Sequence, residues 1–183
     1  MATSFPSSLD SFSNPSASDA LDSVSVPHAD QHANINDAME AVQTKLGVGA
    51  GTIGTYTAIT PTFGSATVGN GIVNARYTKI NKLVHFAGYF QLGGTSAIAS
   101  YVDISVPVTG VPSTFQCPGN AMFYDASGGI YAGHSFFVGS TTIRVAAFLA
   151  TGTYASNADL SATVPITWTT GDVIFWNLTY EAA

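Results

Sequence analysis

A narrow stripe of apolar and histidine positions runs through residues 28–46 of the chain. Its members recur at alternating spacings of 4 and 3 residues, which is the a/d seam of a short coiled coil. The seam residues are His28, His32, Ile35, Met39, Val42 and Leu46. The remaining positions are polar or small, and a stripe this narrow suits the axis of a bundle better than the side of a globular core. The pattern therefore predicts a helix that associates with copies of itself.

Both ends of this helix carry boundary signals. Pro27 suits the first turn, where a missing N–H costs nothing, and Gly47 suits a left-handed cap. A helix over residues 28–46 rises about 28 Å. With this much Asn, Asp and Thr it would be marginal in isolation, so we expect packing against copies to stabilise it.

Residues 55–183 carry apolar runs bounded by turn residues, which is typical of β-strands. The predicted strands cover residues 72–80, 83–92, 101–108, 121–126, 130–138, 141–149 and 173–180. Tight turns at residues 81–82 and 127–129 predict two hairpins, and residues 150–163 predict a loop. About eight closely spaced strands with no helix between them predict a mainly β fold, an antiparallel β-sandwich or jelly roll. Runs such as FAGYF and VAAFLA are apolar on both faces, so the outer face is a candidate subunit interface.

Composition divides the chain into four segments. Residues 1–27 are rich in Ser, Asp and Pro and cannot bury a core alone, so they predict an extended arm. Residues 28–46 form the coiled-coil helix, 47–54 a Gly-rich link and 55–183 the β-head. The apolar anchors predicted for the arm are Phe5, Leu9, Phe12 and Leu21.

The charge of the chain is low and unevenly spread. Charged residues make up 9% of the chain, against roughly a quarter in typical soluble proteins. The net charge of −6 lies within residues 1–44, while residues 45–183 are balanced. Without a basic patch, a nucleic-acid partner is not expected. The acidic excess predicts a solvated arm or, alternatively, one that docks on a positively charged surface.

Cysteine usage and hydropathy limit the class of protein further. Cys117 stands alone, which excludes an internal disulfide and a thiolate metal site, and we interpret it as a small hydrophobic residue. The N-terminal residues lack the pattern of a signal peptide, and no apolar run approaches about 18 residues. We therefore expect a protein that is made in the cytoplasm and does not insert into a membrane.

The four histidines of the chain are candidates for metal binding or catalysis. His28 and His32 would form two stacked rings of imidazoles in a trimer, a geometry that can bind a metal or an anion. The alternative is that they are polar seam residues that set the register. The segment HADQH is not the metalloprotease motif, since Ala29 stands where a Glu is needed, and no metal is predicted. His85 and His134 lie inside predicted strands with no catalytic motif nearby, so we interpret them as core or interface residues.

No enzyme is predicted from the remaining residues. Glycoside hydrolysis needs two carboxylates that flank the bond, and Asp125, Asp159 and Asp172 resemble turn residues instead. No phosphate-binding loop or cofactor motif occurs, so no cofactor is expected. Trp168, just before a turn, and Tyr131 are the candidates for contact with a sugar, although aromatic residues in strands are more often core.

Three stretches of the chain carry a resemblance to a known family. They are FPSSLDSFSNPSASDAL, HADQHANINDAMEAVQTKLGV and WTTGDVIFWNLTYEAA, of which the second is the most specific. In this order they resemble short tail fibres and minor tail proteins of bacteriophages of Gram-positive hosts, and related head-decoration proteins. The stretch YTAITPTFGSATVGNGIVNARYTKINKLVHFAGYFQLG is similar to the opening strands of the β-head in such proteins.

The resemblance implies a homotrimer on the surface of a virion. Its N-terminal arm would dock on tail or capsid proteins, a three-stranded coiled coil would follow, and a β-head would point outwards. The expected function is non-enzymatic attachment to the host surface, with a cell-surface glycan as a possible receptor. One alternative is a capsid decoration or head-fibre protein, and a second is a polysaccharide-binding or polysaccharide-cleaving spike. Attachment to tail or to capsid stays open.

Overall fold

The structure is a computed structural model that describes residues 28–46, 55–111, 119–150 and 153–183. The chain divides into two compact units, residues 1–55 and residues 56–183, and each is described by itself. Several predictions fall outside the described residues: the Gly-rich link 47–54, Cys117, and the arm anchors Phe5, Leu9, Phe12 and Leu21.

The first unit contributes the helix α1 (His28–Leu46), the same residues that the heptad spacing predicts. Asp30 lies in its first turn, where a carboxylate interacts favourably with the positive end of the helix dipole. Towards the other end, Thr44 Oγ1 donates a hydrogen bond of 2.9 Å to the backbone oxygen of Glu40, one turn earlier. Among the described residues, no helix combines the length and the apolar character needed to cross a membrane.

The second unit is built from antiparallel β-strands. Their bounds are β1 (Thr57–Ile59), β2 (Phe63–Thr67), β3 (Ile72–Ile80), β4 (Leu83–Gln91), β5 (Ala97–Ser105), β6 (Gly119–Asp125), β7 (Gly129–Gly139), β8 (Thr142–Leu149), β9 (Ser156–Asp159) and β10 (Val173–Glu181). Both predicted hairpins form, β3 with β4 and β6 with β7. Asn81 in the first turn has a φ of 54°, a left-handed conformation that Asn tolerates better than most residues.

The strands of the second unit follow one path, and that path curls. Their order is β1-β3-β4-β10-β6-β7-β8-β5-β2, with β9 paired to β8. The strands β1 and β2 lie at opposite ends of this order, yet only residues 60–62 separate Ile59 from Phe63. A connection of that length spans at most about 14 Å. The sheet must therefore curl until its two ends become neighbours.

The core lies on the inner surface of this curled sheet. The ring of Phe63 on β2 lies 5.1 Å from that of Phe90 on β4 and 6.0 Å from that of Trp176 on β10, so distant strands meet inside. The largest fully buried side chains are Phe86, Phe90, Phe123, Phe137, Ile104, Ile143, Leu160, Ile174, Leu178, Val84, Val102 and Val145. Burying one such side chain stabilises the fold by about 1.5–3 kcal/mol, so the second unit has a substantial core of its own.

Gly88 in β4 makes room for the indole of Trp176 in this core. A Cβ atom at Gly88 would lie 2.5 Å from Trp176 Cζ2 and 2.7 Å from Ala75 Cβ, well inside van der Waals contact. Any side chain here would force Trp176 out of position.

The predicted class, a mainly β fold with antiparallel strands and one short helix, is confirmed. Three described strands, however, are absent from the sequence prediction. The edge strands β1 and β2 are short and mostly exposed, and β9 falls within the predicted loop over residues 150–163. The SNAD sequence of β9 has no apolar alternation. It forms a strand by pairing with β8, where Asp159 reaches Arg144 at 3.3 Å.

Candidate functional site

The predicted seam of α1 exposes its apolar side chains in the single chain. Ile35 is 57% exposed, Met39 55% and Val42 37%. The rings of His28 and His32 are in edge contact, with centroids 4.4 Å apart, so the two seam histidines share one side of the helix. The side chain of Leu46 lies outside the described part of the chain. A helix with this exposed stripe needs a partner surface to become stable.

Among the residues that the structure describes, no metal centre forms around these histidines. Across residues 28–46, 55–111, 119–150 and 153–183, no three His, Cys, Asp or Glu side chains are grouped to hold an ion. A ring of imidazoles at His28 and His32 would need side chains from other copies, so the metal hypothesis stays a prediction.

The two strand histidines occupy structural positions. His85 Nδ1 shares a hydrogen bond of 3.2 Å with Thr179 Oγ1. His134 is stacked between Phe136 and Phe148, with ring centroids 5.4 Å and 4.9 Å away. Burial lowers the pKa of His134 below its usual value. This aromatic stack favours the neutral imidazole of a packed side chain.

Two of the five acids of the second unit stabilise turns or strand ends. Asp172 is fully buried and accepts hydrogen bonds from the backbone N–H groups of Thr169 at 2.6 Å and Ala126 at 2.9 Å. Asp125 accepts two from Ser127, at 2.6 Å from its hydroxyl and 2.7 Å from its N–H. The hydroxyl bond is the larger cause of a lowered pKa at Asp125. These are the turn roles predicted for Asp125 and Asp172.

Two further acids bind one arginine. Arg144 Nε donates to Asp103 at 2.7 Å and Arg144 Nη1 to Asp159 at 3.3 Å, while the guanidinium carbon lies 3.9 Å from the ring centre of Tyr101. The hydrogen bond to Asp103 is the main cause of a raised pKa at Arg144. The fifth acid, Glu181, faces Lys82 at 4.0 Å. All five acids of the second unit therefore have structural partners.

Of the two predicted sugar contacts, Trp168 has a structural role. Trp168 is half-buried, and its Nε1–H donates hydrogen bonds to the backbone oxygens of Ser161 at 2.9 Å and Val164 at 3.3 Å. Its ring also packs edge-on against Phe123. Tyr131 is 38% exposed near the turn that precedes β7. Their contact with a ligand stays a prediction.

The outer surface of the sheet carries a groove that the sequence analysis missed. It crosses β3, β4, β10 and β6 and has a volume of about 440 Å³. We call it the outer groove, and the outward-facing side chains that line it are Asn74, Arg76, Ala87, Tyr89, Asn120, Met122, Phe175 and Asn177. Successive side chains of a strand point to opposite faces of the sheet, so these residues lie on the face that is turned away from the core.

Two rows of side chains, each crossing the four strands, line the outer groove. Because paired residues lie side by side in an antiparallel sheet, the strand register places these rows next to each other. The aromatic row consists, in strand order, of Asn74, Tyr89, Phe175 and Met122. The polar row consists of Arg76, Ala87, Asn177 and Asn120.

The outer groove combines ring faces with hydrogen-bonding groups. The rings of Tyr89 and Phe175 lie 5.9 Å apart and form one apolar ledge. Among the described residues, the side-chain amides of the three lining asparagines have no hydrogen-bond partner. The guanidinium of Arg76, whose carbon lies 4.8 Å from the ring centre of Tyr56, is the charged group of the lining. This lining can pack an apolar face and at the same time pair with hydroxyl or amide groups.

Neither a family model, nor a curated protein, nor a solved structure matches this chain. Two features of the described residues point to a function, namely the exposed seam of α1 and the outer groove.

Proposed function

We propose that this chain is a non-enzymatic structural protein of a bacteriophage particle, a homotrimer that attaches to the host surface. The observation that carries the proposal is the exposure of Ile35 and Met39 at a/d positions of α1. Apolar side chains at this spacing are buried when helices pair along their seam. The second unit already has its own core, so the helix is the part of the described chain that needs partners.

The order of the segments along the chain supports a protein of the virion. The arm over residues 1–27 is proposed to dock on tail or capsid proteins through its scattered apolar residues. The trimeric coiled coil keeps three chains in register, with His28 and His32 as polar seam positions, a common device for fixing register. The second unit, residues 56–183, is called the β-unit below and forms the sandwich-like head. The chain is made in the host cytoplasm and is displayed on the assembled particle.

Attachment by three heads compensates for a weak individual contact. Once one head is bound, the second and third meet the surface at a high effective concentration. A trimer therefore gains avidity without any contact that is strong by itself.

The structural roles of the acids support a binding function over catalysis. Each of the five acids of the second unit either accepts hydrogen bonds in a turn or forms an ion pair. A glycosidase needs one carboxyl group as an acid and another as base or nucleophile. Of the spike alternatives, a polysaccharide-binding protein therefore fits better than a cleaving one.

A capsid decoration or head-fibre protein is the second candidate. The observation that favours it is the length of α1, since 19 residues rise only about 28 Å and make a very short shaft. The number of copies per particle separates the two candidates. A decoration protein occurs in many copies on the shell, and a tail protein in few.

The test replaces seam residues by charged ones of high helix propensity. The double variant Ile35→Lys with Met39→Lys is expected to convert the trimer to a monomer, because the seam loses about 1.5–3 kcal/mol of burial per side chain. Light scattering coupled to size exclusion measures the mass. The matched control, Ala33→Lys, lies off the seam on the same helix and is expected to stay trimeric. A double variant that keeps the mass of the unmodified protein would exclude α1 as the trimer interface.

A further inference from the structure

We propose that the outer groove binds a short, uncharged saccharide segment of a host-surface glycan. The inference deepens the proposed function and rests on it, because attachment to a host surface is what makes a glycan the relevant ligand. Its evidence is the pairing of an aromatic row with a polar row across the same four strands.

The aromatic row provides the surface on which sugar rings pack. One face of a pyranose ring carries mainly C–H groups, and such faces pack on aromatic side chains. Tyr89 and Phe175 are cross-strand neighbours with rings 5.9 Å apart, and Met122 extends the row onto β6. Neighbouring strands lie about 4.8 Å apart, which is close to the width of one sugar ring. A saccharide lying across the strands would therefore place successive rings over successive side chains.

The polar row provides the groups that recognise hydroxyls. A side-chain amide offers both donors and an acceptor, and a sugar hydroxyl is likewise donor and acceptor. Asn177 and Asn120 lie directly opposite each other on β10 and β6, with Ala87 beside Asn177 on β4. Ala87 has a small side chain, so the floor of the outer groove stays low between Asn177 and Arg76. Hydroxyls on one edge of a sugar chain would meet these amides while its ring face rests on Tyr89 and Phe175.

Charge and desolvation favour a saccharide over other occupants. One charged group among the lining residues gives little attraction for a polyanion such as nucleic acid. A second copy of the chain would have to bury the amides of Asn74, Asn120 and Asn177, and each would cost free energy unless it found a partner. The volume of about 440 Å³ lies within the range of about 300–1,000 Å³ for small-molecule sites.

The test uses the full-length protein and a printed array of neutral oligosaccharides built from glucose, galactose, rhamnose and N-acetylglucosamine. The protein is expected to bind at least one of them, and the best is carried into titration calorimetry. Two independent variants are expected to weaken that binding about tenfold or more. Asn120→Ala with Asn177→Ala removes the amides, and Ala87→Tyr fills the floor without removing a contact. Asn157→Ala and Tyr154→Ala are matched controls that lie outside the groove and are expected to bind normally.

Three outcomes would overturn the inference. They are an absence of binding across the array, equal losses in the groove variants and the controls, or groove variants that change the mass of the assembly. The last result would make the groove an interface between copies. A trimer that binds no saccharide contradicts this inference alone, whereas a monomer that binds one contradicts the proposed function alone.

Discussion

The apolar side chains of the helix α1 and those of the β-unit differ in how far they are buried. In the β-unit, Phe86 and Phe123 are completely buried, whereas in α1 more than half of Ile35 and Met39 is exposed. The β-unit therefore carries its own source of stability, while the apolar side chains of α1 stay exposed among the described residues. The difference is the one expected if the second unit is a head that folds by itself and α1 is stabilised by the proposed assembly.

The largest expected effect is a change that breaks the β-unit and leaves α1 intact. Phe86→Ala should lower the free energy of unfolding of the β-unit by about 3–5 kcal/mol, because it opens a cavity in the core. Urea unfolding followed by tryptophan fluorescence measures it, since Trp168 and Trp176 both lie in this unit. The control Tyr154→Ala alters a side chain that is 85% exposed and should change stability by less than about 0.5 kcal/mol. Equal effects of the two variants would contradict the assignment of the core.

A smaller effect concerns the pH dependence of the β-unit. Burial lowers the pKa of His134 below its usual 6.5. As the pH falls through that value, the unfolded chain takes up a proton that the folded unit resists, so acid stabilises the unfolded state. The stability is present above pH 6.5 and is lost as the pH decreases towards the folded-state pKa. The charged groups on the neighbouring strands, Asp159 on β9 and Arg144 on β8, pair with each other and not with His134.

The measurement for His134 is the midpoint of thermal unfolding at about pH 8 and about pH 5. His134→Phe keeps an aromatic ring between Phe136 and Phe148 and removes the titration, so its midpoint should fall less on acidification. The control His85→Gln removes the half-buried histidine on β4 and should retain the full decrease. If both variants behave like the unmodified protein, burial of His134 contributes nothing to the pH response.

The smallest effect is expected at the surface of the β-unit. Lys82 and Glu181 approach within 4.0 Å, but their side chains are 62% and 61% exposed. Such pairs contribute about 0–1 kcal/mol, so Lys82→Ala should leave the urea midpoint almost unchanged. A loss clearly above about 1 kcal/mol would show that the outer surface contributes to stability as the core does.

The parts of the fold that were predictable from sequence are those with a strong local signal. Strands β3 and β4 have alternating apolar residues around a two-residue turn, and the heptad spacing marks α1 over residues 28–46. The strand β9 has no such signal, since it forms through pairing with β8 and through the contact of Asp159 with Arg144. β8 and β9 follow each other in the chain, with residues 150–155 between them, but no apolar alternation in SNAD marks the second strand.

The outer groove was not predictable because it depends on long-range strand pairing. Tyr89, Phe175 and Met122 are far apart in sequence, and only the register of β4, β10 and β6 brings them into one row. The runs that are apolar on both faces predict a subunit interface on the outer face, which stays a prediction. Which residues align there depends on a strand order, β4-β10-β6, that places the last strand between two earlier ones.

The central claim is that three copies associate through α1, and the mass of the full chain in solution tests it most directly. Light scattering coupled to size exclusion at micromolar concentration should give three times the 18.9 kDa of one chain. A single species of 18.9 kDa would contradict the account, because the exposed seam of α1 would then have no partner.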